Sequence, residues 1–152
     1  MAKHIFVFFY NPDMFHHMHF RTIAHATEDL AKVEKAFEFI TGRNDFSITK
    51  AAGYHGNEII ILELEISRKR EIREFWKRMK LYGITDEIIS ILPEIVDDEG
   101  NLYVRFDKQE AYLGNVALAY HGDVIAMKGK IESYPAKKDK AMENFINFIN
   151  SL

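Results

Sequence analysis

The chain has 152 residues, 47% of them hydrophobic and 28% charged, with twelve Phe and a formal net charge of −3. A domain of this length removes about 70% of its unfolded surface from water, so a real core is expected and a disordered chain is excluded. Without cysteine there is no disulfide framework, thiol nucleophile or thiolate metal site, and the acidic total argues against a protein that coats itself in nucleic acid.

In chain order, the apolar run 5–10 ends in Asn11-Pro12 and is too short for a secretory segment or a bilayer span. It reads as a strand, and a cytoplasmic location without membrane contact is expected. Residues 15–23, aromatic and β-branched, predict a second strand ending near His25. Thr27 is placed to cap a helix, with Glu28 and Asp29 at its positive end, Leu30, Val33, Phe37 and Ile40 as its apolar stripe, and Gly42 to end it. The runs 46–52 and 58–66 predict a hairpin whose turn is Gly53-Tyr54-His55-Gly56-Asn57, the two glycines permitting positive φ.

Ser67 would cap the next helix, in which Ile72, Phe75, Trp76 and Met79 recur at helical spacing and Gly83 marks the end. Trp76 shares the apolar stripe and is read as core. Residues 67–80 hold seven basic and two acidic side chains, whereas 85–101 hold six acids and no base. At about 100° per residue, Arg70, Arg73, Lys77 and Lys80 share the side opposite the apolar stripe. Arg68 and Lys69 in the first turn oppose the helix dipole, which an anion bound there would explain. The alternative is a solvated face partly neutralised by Glu71 and Glu74.

A helix over 85–92 stopped by Pro93, a polar turn at Asp97-Asp98-Glu99-Gly100-Asn101, a strand over 102–106 and helical turns over 108–113 follow. A strand over 123–133 carries Lys128 and Lys130 on one face, and a last helix, opened by Lys137, Lys138 and Lys140, buries Met142, Phe145, Ile146, Ile149 and Leu152. These lysines are a second candidate phosphate patch or ordinary surface lysine.

No repeat, low-complexity tract or linker divides the chain, so a single domain over 1–152 is expected, with residues 1–13 as an extra edge strand. Grouped strands and helices predict an α+β fold, an antiparallel or mixed sheet with helices packed mainly on one face. The other face must be used or covered. His17 and His19 point to one side of a strand and could join His25 or His55 around a metal, the alternative being sheet-face histidines. No H-E-x-x-H, phosphate-binding loop, nucleophile elbow or EF-hand pattern occurs, so no catalytic residue, metal or cofactor is assigned.

Four phrases carry a resemblance: HATED at 25–29, GYHGN at 53–57, RFDKQEAYLG at 105–114 and KIESYPAKK at 130–138. Over residues 15–148 the chain resembles an archaeal family of RNA-binding proteins or predicted exosome subunits, with a fold similar to the ribosomal protein that holds 5S RNA. Residues 1–13 lie outside the pattern. The resemblance implies a non-catalytic RNA-binding protein, an accessory of archaeal RNA processing or exosome-mediated degradation. Arg70, Arg73, Lys77 and Lys80, extended by Lys128, Lys130, Lys137 and Lys138, would then hold the phosphate backbone without reading sequence. Arg105 and Lys108 would suit RNA contact, or equally a salt-bridged strand end beside Asp107 and Glu110. Two other readings remain: a homodimeric interaction module that uses the open sheet face or the 5–10 strand, and a metal-dependent hydrolase built on His17 and His19.

Overall fold

A computed structural model describes residues 15–152; the expected strand at 5–10 lies outside the described residues. Five strands form one sheet: β1 (Phe15–His25), β2 (Ser47–Ala52), β3 (Glu58–Ile66), β4 (Asn101–Asp107) and β5 (Val124–Ile131). Their order is β2-β3-β1-β5-β4 and every pairing is antiparallel. Six helices accompany them among the described residues: α1 (Leu30–Thr41), α2 (Lys69–Leu81), α3 (Thr85–Ser90), α4 (Leu92–Ile95), α5 (Lys108–Tyr112) and α6 (Lys138–Asn150). The fold is α+β, as expected, and the choice between an antiparallel and a mixed sheet falls to the former.

Side-chain alternation decides the two faces of the sheet. Met18, Phe20, Thr22 and Ala24 of β1, Leu62, Leu64 and Ile66 of β3, Leu102, Val104 and Phe106 of β4, and Ile125, Met127 and Ile131 of β5 are all buried. All but Thr22, whose hydroxyl donates to Val124 O, join Phe37, Ile40, Ile72, Phe75, Trp76, Phe145 and Phe148 of the helices in one core. The residues between them on each strand face the other way, so among the described residues the helices cover one side only.

One irregularity keeps the first strand in this scheme. Phe15 pairs with Ile131 and His17 with Lys130, so His16 is an inserted residue, a bulge that lets odd-numbered Phe15 join the even-numbered core positions. Its ring stacks on Trp76 at 5.5 Å and meets Phe145 edge-on at 6.0 Å.

The local signals differ from the sequence reading in four places. Asp29, not Thr27, caps α1, its carboxylate accepting the Ala31 N–H at 3.0 Å. Glu28 thereby stays outside the helix and is free for another partner. Arg68, not Ser67, occupies the cap position of α2, with no side-chain hydrogen bond. Pro93 falls in the first turn of α4, where its missing N–H costs nothing, and so starts a short helix as well as ending one. In the 53–57 turn the positive φ values belong to His55 at 62° and Gly56 at 77°; Gly53 is extended and is required because a Cβ there would meet Asn57 O at 2.8 Å.

Gly129 gives the sharpest test of this packing. It pairs with Met18 on the covered face, and a Cβ there would lie 2.6 Å from Cε1 of buried Phe15. Gly129→Ala should therefore destabilise by about 1–3 kcal/mol through overpacking, although alanine is otherwise the better strand residue. Thermal unfolding should show a melting temperature several degrees lower; an unchanged or higher value would contradict the placement of Phe15.

Candidate functional site

The uncovered face is read directly from the strand register. One row across it runs His19, Lys128, Tyr103 over β1, β5 and β4, with Glu65 beyond on β3. The next row runs Glu63, Arg21, Ala126, Arg105, and a third joins His17, Lys130 and Asn101. Arg21, Arg105 and Lys128 are exposed. Small Ala126 lies between the two arginines, and a depression that it lines with Arg21, Ile23 and Val124 runs toward His25 and Asp123 at the end of the β1–β5 pair. Acidic Glu63 and Glu65 stay on the β3 side, so the cationic half of the face spans β1, β5 and β4.

Three of the expected site residues meet there. Lys128 Nζ lies 5.6 Å from the centroid of the Tyr103 ring, Arg105 stands one row away, and half-buried Lys130 donates to the Glu99 carbonyl. The sequence reading missed Arg21 and Tyr103. Both were accessible through alternation: each follows a buried residue by one and precedes another by one, as His19 does.

The basic helix has a different situation, because α2 packs in the helix layer, on the opposite side of the sheet. Arg70 pairs with Glu74 at 3.3 Å along the helix. Half-buried Arg73 lies over the ring of Phe148 at 5.9 Å. Lys80 donates to the carbonyls of Ile149 at 2.9 Å and Leu152 at 3.2 Å, closing the C-terminal end of α6. Arg78 donates to Phe39 O at 2.8 Å and Ile40 O at 2.7 Å and closes α1 in the same way; burial holds its pKa below the ordinary arginine value. Positive charge at the negative end of a helix is favourable, which accounts for much of the basic composition of α2 without a ligand. Of the four expected ridge residues, Lys77 alone is exposed without a protein partner among the described residues.

Lys137 and Lys138 stand at the start of α6, also in the helix layer, and Lys138 donates to Pro93 O at 2.5 Å. The ten residues expected to act together are thus split between two sides of the molecule.

Lys108 needs a correction. Read either as an RNA contact or as part of a salt-bridged strand end beside Asp107 and Glu110, it is 3% exposed, and its ammonium lies 2.9 Å from Glu28 Oε2, 2.9 Å from Ile23 O and 3.9 Å from Asp123 Oδ2. A buried ammonium with these partners ties β1, α5 and the start of β5 together and does not reach a phosphate. His25, Glu28 and Asp123 bring donor atoms within 4.8 Å of one another, the spacing a cation requires. The Lys108 ammonium already supplies the positive charge. His17 and His19 do share one side of β1, but His25 lies six residues on, about 20 Å along the strand, and cannot join them. His19 Nε2 lies 2.9 Å from Glu63 Oε2 and His17 Nδ1 lies 2.9 Å from His16 Nδ1.

Asp97 is the anchor of its turn. Its Oδ1 accepts from the N–H groups of Glu99 and Asn101, and its Oδ2 accepts from Asn101 Nδ2 at 3.0 Å and from the Tyr103 hydroxyl at 3.1 Å. Burial raises its pKa, but these hydrogen bonds outweigh it and hold the carboxyl below its ordinary value. The acidic turn therefore has a structural duty, and it fixes the ring of Tyr103 on the open face.

A family model described as RNA binding matches residues 17–131. RNA-binding protein PAB1135 of Pyrococcus abyssi is 35% identical over 137 residues, covering 84% of this chain and 89% of that one. Among solved structures, Mth689, a DUF54 protein from Methanothermobacter thermautotrophicus, aligns with a TM-score of 0.78 at 34% identity, over 90% of this chain and 98% of its own. Protein AF2318 from Archaeoglobus fulgidus, also assigned to DUF54, aligns with the same TM-score and identity over 88% and 99%.

Glu28 provides a test of the buried cluster. Burial raises its pKa, but the hydrogen bonds from Lys108 and the His25 N–H, with the Lys108 charge, prevail and lower it from 4.5. A lowered carboxyl contributes stability above pH 4.5 that is lost as pH falls through the folded-state value. Glu28→Gln, which leaves Lys108 without its main partner, should cost about 3 kcal/mol at neutral pH. Denaturant unfolding from pH 7 down to pH 3 should show the difference from wild type shrinking in acid; a constant difference would contradict the assignment.

Proposed function

The chain belongs to the RNA-binding family, and from that premise we propose that it binds RNA through the uncovered face of its sheet, where Arg21, Arg105, Lys128 and Lys130 hold the phosphate backbone. The observation that carries this reading is the division of the cations. Of the helix-layer cations, Lys80 and Arg78 close helix ends, Arg70 pairs with a carboxylate and Arg73 covers an aromatic ring, with Lys77 free among the described residues, while Arg21, Arg105 and Lys128 stand exposed together on neighbouring strands. Side chains on three adjacent strands are separated by about 5 Å per strand, so they present a patch of charge with a defined spacing. Phosphate contacts of this kind position RNA without reading its sequence.

The contribution of α2 is correspondingly small in this proposal. Lys77 and Arg70 can add long-range attraction, but they face away from the strands that hold the patch. Lys137 and Lys138, at the start of α6, extend the charge only for an RNA that passes over the sheet end. The finer setting, a cytoplasmic and non-catalytic accessory of RNA processing or exosome-mediated degradation, is part of the same proposal and is supported by the resemblance. Among the described residues, no helix is long and apolar enough to cross a membrane.

Binding of labelled RNA at several salt concentrations tests the reading. The double variant Lys128→Glu, Arg105→Glu should weaken binding and lower the slope of log affinity against log salt by about two, one for each phosphate left without its cation. The control Arg70→Glu, Lys77→Glu should change the slope by well under one. A reversal of these two results, or wild-type affinity independent of salt, would contradict it.

A further inference from the structure

We infer that the RNA taken by this face is single-stranded, with an unpaired base stacked on the ring of Tyr103 at the mouth of the cleft that Tyr103 shares with Tyr120. This deepens, and rests on, the reading of the sheet face as the RNA site.

Tyr103 is 41% exposed and Tyr120 68% exposed. Both hydroxyls are already engaged, that of Tyr103 with Asp97 Oδ2 at 3.1 Å and that of Tyr120 with Glu87 Oε1 at 3.0 Å. What remains for a partner is the flat ring of each. On one side of Tyr103 lies Lys128, reaching over from β5. On its other side, beyond β4, a cleft of about 340 Å³ is lined by Ile91, Ile95, Leu118 and Tyr120, with Arg105 and Glu94 as its charged members.

The chain keeps this cleft open by the way it covers the edge of the sheet. Val96 bridges Leu102 at one end of β4, and Leu118 bridges Phe106 at the other, with Ala119 N–H bonded to Arg105 O at 2.9 Å. Between the two bridges no strand among the described residues pairs with the edge, and Tyr103 and Tyr120 both line the cleft there. The volume is in the range that admits a planar ligand of nucleobase size, and most of the lining is apolar or aromatic.

A cation beside an exposed, hydroxyl-anchored ring is the pairing that single strands use, with phosphate on the cation and a base on the ring. A duplex keeps its base faces inside the stack and offers only phosphates and groove edges. Arg105 and Lys128 would hold either form, whereas the rings reward only the unpaired one. His19, in the same row as Tyr103 and two strands away, puts a second flat side chain about 10 Å from it, so the track can pass across the sheet toward β1.

The experiment compares a labelled single-stranded RNA with the duplex of the same sequence, bound by the wild type, Tyr103→Leu and Tyr103→Phe, with Tyr120→Leu as an independent variant that leaves β4 untouched. The single strand should bind the wild type more tightly than the duplex does. Tyr103→Leu should lose about five- to hundredfold on the single strand and little on the duplex, Tyr120→Leu should lose in the same direction, and Tyr103→Phe should bind as wild type. Unfolding temperatures of all variants identify any that fail to fold, and Tyr120→Leu then decides. Salt-sensitive RNA binding that ignores both leucine variants, or equal affinity for the two forms, overturns this inference alone. No RNA binding by the wild type overturns the underlying reading as well, as would capture of an acidic polypeptide in place of RNA.

Discussion

Burial of every second side chain on β1, β3, β4 and β5 under a single layer of helices is the constraint from which the rest of the structure follows. An antiparallel sheet can leave one face to water when its strands alternate, and here four strands do so in phase. The bulge at His16 matters for that reason: without the extra residue, Phe15 would leave the core and its ring would no longer stack on Trp76. The same register that fills the core also sets Arg21, Lys128, Arg105 and Tyr103 side by side on the far face.

An acidic protein can meet a polyanion because charge is sorted by layer. Lys108, Arg78 and Lys80 are tied to backbone carbonyls and, for Lys108, to Glu28, so they contribute to the total without being available. Glu63 and Glu65 are confined to the β3 side of the open face, and the run of acids at 85–101 falls on α3, α4 and the turn that anchors Tyr103. Arg21, Lys128 and Arg105 thus stand together on β1, β5 and β4 although the sum over the chain is −3. This is also the sense in which a net charge predicts little about a particular surface.

Most of the fold was legible in the sequence because its signals are local. The strand-like run 58–66 beside the GYHGN turn gave β3, aromatic and β-branched residues gave most of β1, helical spacing of Ile72, Phe75, Trp76 and Met79 gave α2, and Gly42, at φ 74°, ended α1. The site was less legible. Helical periodicity places Arg73 and Lys80 away from the core stripe, but it does not say that α6 lies alongside to receive them; that is a matter of tertiary packing. Lys108 is the clearest instance, since its partners Glu28 and Asp123 are far off in the chain and nothing in RFDKQEAYLG marks it as buried. Arg21 and Tyr103 could have been found by extending the alternation already noted for His17 and His19 along β1 and across to β4. Strand order, which makes β5 the neighbour of both, was the missing information.

Backbone amide shifts from NMR, followed while single-stranded RNA is added to the isotopically labelled protein, test the central claim most directly. The account predicts that the changes concentrate on β1, β5 and β4, around Arg21, Lys128, Tyr103 and Arg105, with α2 little affected. Changes confined to α2 and the start of α6, with the open face silent, would contradict it.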